Sequence, residues 1–246
     1  MATIATLSRM AALLLAAACC RAAEEPTQDE VMARAAVIYA DRLGEFVVDR
    51  DPRFTARVRG VADVLIAQAR RDYPETAGWA WEVHTTDDAR QNADCMAGGK
   101  ILVSQQYVER LGLGDAELAM LLAHEIEHAA LHHNLLEYQA ALRLEPAWAQ
   151  RPFAELEYAV DNDAGLMARL ADLNYGQEQE ADREGLRLAW RAGWPAAQLA
   201  GYFRKMVRAS DWPHGSKPDY PSPSQRRRDA QALALLLQKN HVQPGD

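Results

Sequence analysis

The sequence predicts a mainly helical α+β domain with a small β-sheet. Three observations carry this expectation: helical periodicity runs through most of the 246 residues, strand signals are confined to two short runs, and no internal repeat appears. With so little strand, helices must supply most of the core.

In chain order, helices are expected over residues 29–44 and 54–72, and strands over 80–85 and 100–103. The second strand is a short apolar run entered through the turn at Gly98-Gly99. Helices follow at 104–112 and 115–139, the latter with Asp115 as its N-cap and with Leu118, Leu121, Leu122, Ala129 and His132 on one helical period. Residues 145–151, with two prolines close by, turn the chain. Further helices occupy 152–170, 174–192, 196–209 and 223–239, and Gly193-Trp194-Pro195 stops one helix and starts the next from a proline. Pro213, Pro218, Pro221 and Pro223 make the stretch beyond Trp212 irregular, the kind of loop that borders a site and sets its specificity.

The start of the chain bears on location. Arg9 precedes an apolar run over 10–18 that falls well short of the roughly 20 residues a membrane-spanning helix needs, so it reads as a secretory signal. Small residues directly before Cys19 resemble a bacterial lipoprotein cleavage site. That resemblance implies a signal peptide over 1–18, an acylated Cys19, a polar tether over 19–28 and one domain over 29–246, placed in the periplasm and held at the outer membrane by its lipid. Cleavage near Ala23 would instead release a soluble product. The 228 residues left after the leader (246 − 18) suit one medium domain.

Composition narrows the partners. A formal charge of −8 argues against nucleic acid, and Arg226-Arg227-Arg228 is too local to reverse that. Only Cys95 falls within the expected domain, which leaves no disulfide framework and no cysteine metal cluster; it reads as a small buried apolar residue.

Chemistry concentrates at His124-Glu125-Ile126-Glu127-His128, an H-E-x-x-H pattern within the 115–139 helix. Two imidazoles four residues apart lie one above the other on a helix face and can hold one metal ion, with the intervening Glu125 directed at the same place. Zinc accepts imidazole nitrogen, keeps an open position in catalytic sites and lowers the pKa of its water to about 7, where a neighbouring carboxylate can take the proton. A third protein ligand is then required downstream. Glu178, Ala181, Asp182, Gly185, Leu186 and Ala189 form one helical stripe that mixes two carboxylates with small and apolar residues. Alone, that acidic run would read as a solvated face. Gly185 costs about 1 kcal/mol relative to Ala inside a helix, which makes sense if another helix passes close by.

These residues resemble the zinc metallopeptidases that include bacterial HtpX, mitochondrial Oma-type proteases and the CaaX prenyl proteases. Residues 115–133 are similar to that family's active-site helix, and Glu178 and Asp182 match its E-x-x-x-D helix. The resemblance implies a zincin-like fold, one zinc ion per chain bound by His124, His128 and Glu178, Glu125 as general base, and Asp182 orienting a ligand histidine. It implies a metalloendopeptidase acting on protein or peptide substrates, with misfolded envelope proteins as the expected targets. A metal-stabilised chaperone-like or latent binding protein is the alternative from another class.

Residues 92–103 are similar to the family's strand and Gly-Gly turn, so Gly99, Ile101 and Val103 are expected to offer a free strand edge to an extended substrate, an ordinary core strand being the other reading that the sequence leaves open. Near the C-terminus the family carries a His-Pro pair followed by an Arg. Here the matching register is Tyr220-Pro221 with Arg226, which puts Tyr220 in the place of an oxyanion donor, with His214 as its competitor. Glu127 stands where the family commonly has glycine and is expected to add charge near the site. His133 matches a family position, but it and His132 read as packed or surface residues rather than ligands, and His84 and His241 receive no role.

Overall fold

The computed structural model describes residues 25–209 and 221–241. Cys19 with the expected leader, and the segment holding His214 and Tyr220, lie outside the described residues. The class is the expected mainly helical α+β.

Helix α1 (Gln28–Glu45) opens on a reciprocal cap, in which Thr27 Oγ1 accepts from the Glu30 N–H and Glu30 Oε2 accepts from the Thr27 N–H at 2.9 Å. Helix α2 (Pro52–Asp72) starts with the Asp51 carboxylate accepting from the N–H groups of Arg53 and Phe54, while Pro52 fills a position whose N–H would have had no partner. Three short strands follow: β1 (Glu82–Thr86), β2 (Ala93–Met96) and β3 (Lys100–Ser104). Their order is β1-β3-β2, with β3 parallel to β1 and antiparallel to β2.

β2 is absent from the sequence expectation because Ala93-Asp94-Cys95-Met96 carries no β-branched residue. It becomes a strand through its partner: the loop Ala97-Gly98-Gly99, with both glycines at positive φ (79° and 80°), folds β3 back along it.

The central position of β3 corrects the expectation for Gly99, Ile101 and Val103. Both edges of β3 are hydrogen-bonded, to β1 and to β2, and Ile101 and Val103 are fully buried, so they present no edge to a substrate. Gly99 serves packing: a Cβ there would lie 2.5 Å from the Trp81 ring. The strand at the sheet margin beside α4 is β2.

Helix α3 (Gln105–Arg110) leads into α4 (Asp115–Ala130), of whose 16 residues twelve are buried, so it is apolar nearly all round and forms the centre of the molecule. Gly114, rather than Asp115, occupies the N-cap, and Glu117 Oε2 accepts the Gly114 N–H at 2.8 Å. The expected 115–139 helix is two helices. His132 adopts a left-handed backbone (φ 58°) and separates α4 from α5 (His133–Leu144).

After a 3₁₀ turn at Pro146–Gln150 come α6 (Phe153–Asn162) and α7 (Ala164–Arg191). The break expected between residues 170 and 174 lies instead at Asp163, whose Oδ1 accepts from the N–H groups of Gly165 and Leu166 at 2.9 Å each. α7 ends before Gly193 (φ 101°), as the Gly-Trp-Pro signal requires, and α8 (Ala196–Leu199), α9 (Gly201–Ala209) and α10 (Pro223–His241) complete the described chain. None of the described helices is long and apolar enough to cross a membrane.

Apolar side chains form two cores. The larger joins α2, the inner face of the sheet, α4, the C-terminal half of α7 and helices α8 to α10. The smaller joins α1, α5, α6 and the start of α7 around Leu166 and Leu170. α7 belongs to both, and its middle turns run past α4 where the two cores meet. At that crossing Gly185 admits α4 so closely that a Cβ would lie 2.8 Å from the backbone nitrogen of His124. The helix approach anticipated from this glycine is therefore present.

Candidate metal centre

α4 directs His124 and His128 toward α7, and α7 returns Glu178. The Nε2 atoms of the two histidines are 3.2 Å apart, Glu178 Oε1 lies 3.3 Å from His128 Nε2, and Glu178 Oε2 lies 3.6 Å from His124 Nε2. Four ligands set tetrahedrally at 2.0–2.1 Å from zinc are separated by about 3.3 Å, so these donors already stand at the spacing such an ion requires. Two nitrogens and a carboxylate oxygen are also a donor set that zinc favours. Among the described residues, this is the one group of three or more His, Cys, Asp or Glu side chains close enough to hold a metal.

Outer contacts fix each donor. His124 Nδ1 faces Asp182 Oδ1 across 3.0 Å, which places the imidazole proton on Nδ1 and leaves the Nε2 lone pair free. Asp182 is gripped from its other side by Arg226 of α10, with Nε donating to Oδ2 at 2.7 Å and Nη2 to Oδ1 at 2.6 Å; Arg226 Nη1 also lies 3.3 Å from Glu178 Oε2. Burial alone would raise the pKa of both carboxyls. For Asp182 the Arg226 charge outweighs it, and for Glu178 the neighbouring His124 does, so both stay below the ordinary carboxylate range. Burial lowers the pKa of His128, while at His124 the Asp182 and Glu178 carboxylates overcome burial and raise it.

Glu125 opens onto a cleft of about 430 Å³ together with His128 and Glu178; Asp94 and Met96 of β2 line one side and Glu137 of α5 the other. Burial pushes the Glu125 pKa up to about 8 in the metal-free site, and a cation held by the neighbouring donors would favour its carboxylate form. Glu127 departs from expectation. It is fully buried and points away from the donors, toward α2, where the Tyr73 hydroxyl donates to its Oε2 at 2.7 Å.

The structure thus brings His124, Glu125, His128, Glu178 and Asp182 to one place, while Gly99, Ile101 and Val103 stand in turn and core positions. Arg226 and His133 are the buried neighbours that sequence reasoning left without a role at the centre. Arg226 hides in an Arg-Arg-Arg run that looks like a solvated patch; the available signal was its six-residue spacing from Tyr220.

The sequence matches Peptidase family M48 over residues 52–234, a span that contains every one of these side chains. The chain belongs to peptidase family M48. Metallopeptidases of this family are zinc-dependent, which agrees with the donor set and its spacing. Among curated relatives, a beta-barrel assembly-enhancing protease of Yersinia pestis is 25% identical over 200 residues, covering 75% of this chain and 40% of its own length. The mitochondrial metalloendopeptidase OMA1 of Bos taurus is 30% identical over 159 residues, covering 60% of this chain and 30% of its own. The beta-barrel assembly-enhancing protease of Escherichia coli K12 is 24% identical over 169 residues, covering 63% and 34%. The chain spans between 30% and 40% of the length of these family relatives.

Proposed function

We propose that this chain is a zinc metalloendopeptidase that hydrolyses peptide bonds of envelope proteins, in the manner of a quality-control protease. One observation carries the reading: three donors from two helices, His124 and Glu178 buried and His128 half-buried, converge at zinc spacing, with Glu125 lining the same cleft. Zinc in such a site supplies a Lewis acid for the scissile carbonyl and a water acidic enough to lose its proton near pH 7.

The chain's own residues do the rest. His124, His128 and Glu178 hold the ion, and Asp182, backed by Arg226, orients His124. Glu125 accepts the proton of the attacking water on its carboxylate and hands it to the leaving amine, so that each turnover returns it to its starting state. An extended substrate pairs along β2, the marginal strand whose Asp94 and Met96 border the cleft. Tyr220 donates its phenol to the developing oxyanion; the support is its sequence register with Arg226, which grips Asp182 behind the donors.

The leader over 1–18, lipidation at Cys19 with a tether over 19–28, and delivery to the periplasmic face of the outer membrane complete the proposal, with the domain over 29–246. The relatives named for beta-barrel assembly support an envelope setting.

The test is zinc analysis with casein cleavage on wild type, Glu125→Gln and Tyr220→Phe. Glu125→Gln is expected to keep its zinc and lose at least about 100-fold in turnover, and Tyr220→Phe to lower kcat with KM near wild type. Equal casein cleavage by Glu125→Gln would overturn the assigned base, and wild-type protein that takes up no zinc would overturn the function.

A further inference from the structure

We infer that His133 is a positioning residue for the zinc ligand His128: it accepts the Nδ1 proton of that ring and thereby aims its Nε2 lone pair at the metal. The inference rests on the zinc site proposed above and adds to it a residue that neither the motif nor the E-x-x-x-D helix contains.

The two rings meet edge to face, with centroids 4.8 Å apart and planes at 79°, and their Nδ1 atoms are 2.9 Å apart. A neutral imidazole has one donor nitrogen and one acceptor. His128 must keep Nε2 unprotonated to share a point with His124 Nε2 and Glu178 Oε1, so its proton sits on Nδ1 and donates to His133 Nδ1. His133 then carries its own proton on Nε2, which faces the Glu180 carboxylate at 3.6 Å. One contact fixes both tautomers.

The backbone is bent to make this contact. In an uninterrupted helix a residue five positions on lies about 140° around the axis, so His133 would point well away from His128. The left-handed residue His132 ends α4 and starts α5 between them, returning His133 to the ligand. α7 then holds it: Gln177, adjacent to the ligand Glu178, donates its Nε2 to the buried carbonyl of His133 at 3.1 Å. His133 itself is only 3% exposed. The two ligand histidines are thus aimed by different chemistry, an anion–cation pair behind His124 and a neutral ring behind His128.

The test compares wild type with His133→Phe, which keeps a ring and removes the acceptor, and His133→Gln, whose side-chain oxygen can accept the same proton. Zinc affinity is read by competition with a chromophoric chelator, and the His128 tautomer by ¹⁵N NMR of the metal-free protein. His133→Phe is expected to bind zinc about 10- to 100-fold more weakly, and His133→Gln to recover most of the loss. Zinc binding by His133→Phe within two-fold of wild type overturns the inference, as does an equal loss in both variants. Should His133→Phe fail to fold, the wild-type spectrum decides: a proton on Nδ1 of His128 is expected, and one on Nε2 overturns it. Wild-type protein that binds no zinc counts against the proposed function instead, so the two failures are distinguishable.

Discussion

Gly185→Ala isolates the helix crossing on which the site depends. The added Cβ would lie 2.8 Å from the backbone nitrogen of His124, 3.0 Å from its Cα and 3.1 Å from the Ala123 carbonyl carbon, all atoms of α4 that no rotamer change can move aside. Restoring ordinary contact at 3.4 Å requires α7 to withdraw by at least 0.6 Å (3.4 − 2.8) at that point. Glu178 and Asp182 ride on the same face of the same helix, about two turns and one turn respectively toward its N-terminus, and they withdraw with it. Metal–ligand distances tolerate only about 0.2 Å, so the displacement exceeds what the donor triangle can absorb. Two energies compete. Ala gains about 1 kcal/mol over Gly in a helix interior, whereas overpacking at a close contact costs about 1–3 kcal/mol. The net expectation is destabilisation by about 1 kcal/mol, a fall of roughly 2–4 °C in Tm for a domain of this size, accompanied by at least about ten-fold weaker zinc binding. Thermal unfolding of metal-free protein and a calorimetric zinc titration measure the two effects separately. A Gly185→Ala variant that melts higher than wild type and binds zinc equally would refute the reasoning.

Two further predictions follow from groups elsewhere in the chain. Burial holds the Glu127 carboxyl at a pKa of about 7 against 4.5 in the unfolded chain, so between those values the native state binds more protons and stability falls as pH rises. Glu127→Gln keeps an acceptor for the Tyr73 hydroxyl and removes the buried charge; relative to wild type it should gain up to about 3 kcal/mol between pH 4.5 and pH 8, measured by urea unfolding of metal-free protein, and a flat difference over that range would exclude the mechanism. Cys19→Ser should move the expressed protein from the membrane fraction to the soluble periplasm, whereas unchanged fractionation would remove the lipid anchor from the proposal.

What the sequence reveals and what it hides divide along physical lines. His124, Glu125 and His128 are legible because a helix turns spacing into facing, and Glu178 with Asp182 because carboxylates on a stripe with Gly185 and Ala189 make poor sense against water. The interiors of α1 and α2 are equally plain from their periodicity, while their starts, set by Thr27 and by Asp51 with Pro52, fall one and two residues before the expected bounds. β2 is hidden because its strand character comes from β3 and not from its own residues. The break at His132 is hidden because a histidine is only a weak signal for a left-handed backbone, and the contacts that hold the break, from His133 to His128 and Gln177, form only in the folded chain. For the same reason the edge reading of Ile101 and Val103 fails: an apolar run announces a strand but says nothing about how many neighbours it has. Arg226 lies 44 residues beyond Asp182 (226 − 182), too far for periodicity to link them.

That distance bears on how the enzyme matures. A polypeptide made N-terminus first presents both histidines, Glu178 and Asp182 before α10 arrives with the guanidinium that grips Asp182. Until then Asp182 lacks the charge that offsets its burial. A fragment ending short of residue 226 would carry the three candidate metal donors without the charge that holds Asp182 behind His124.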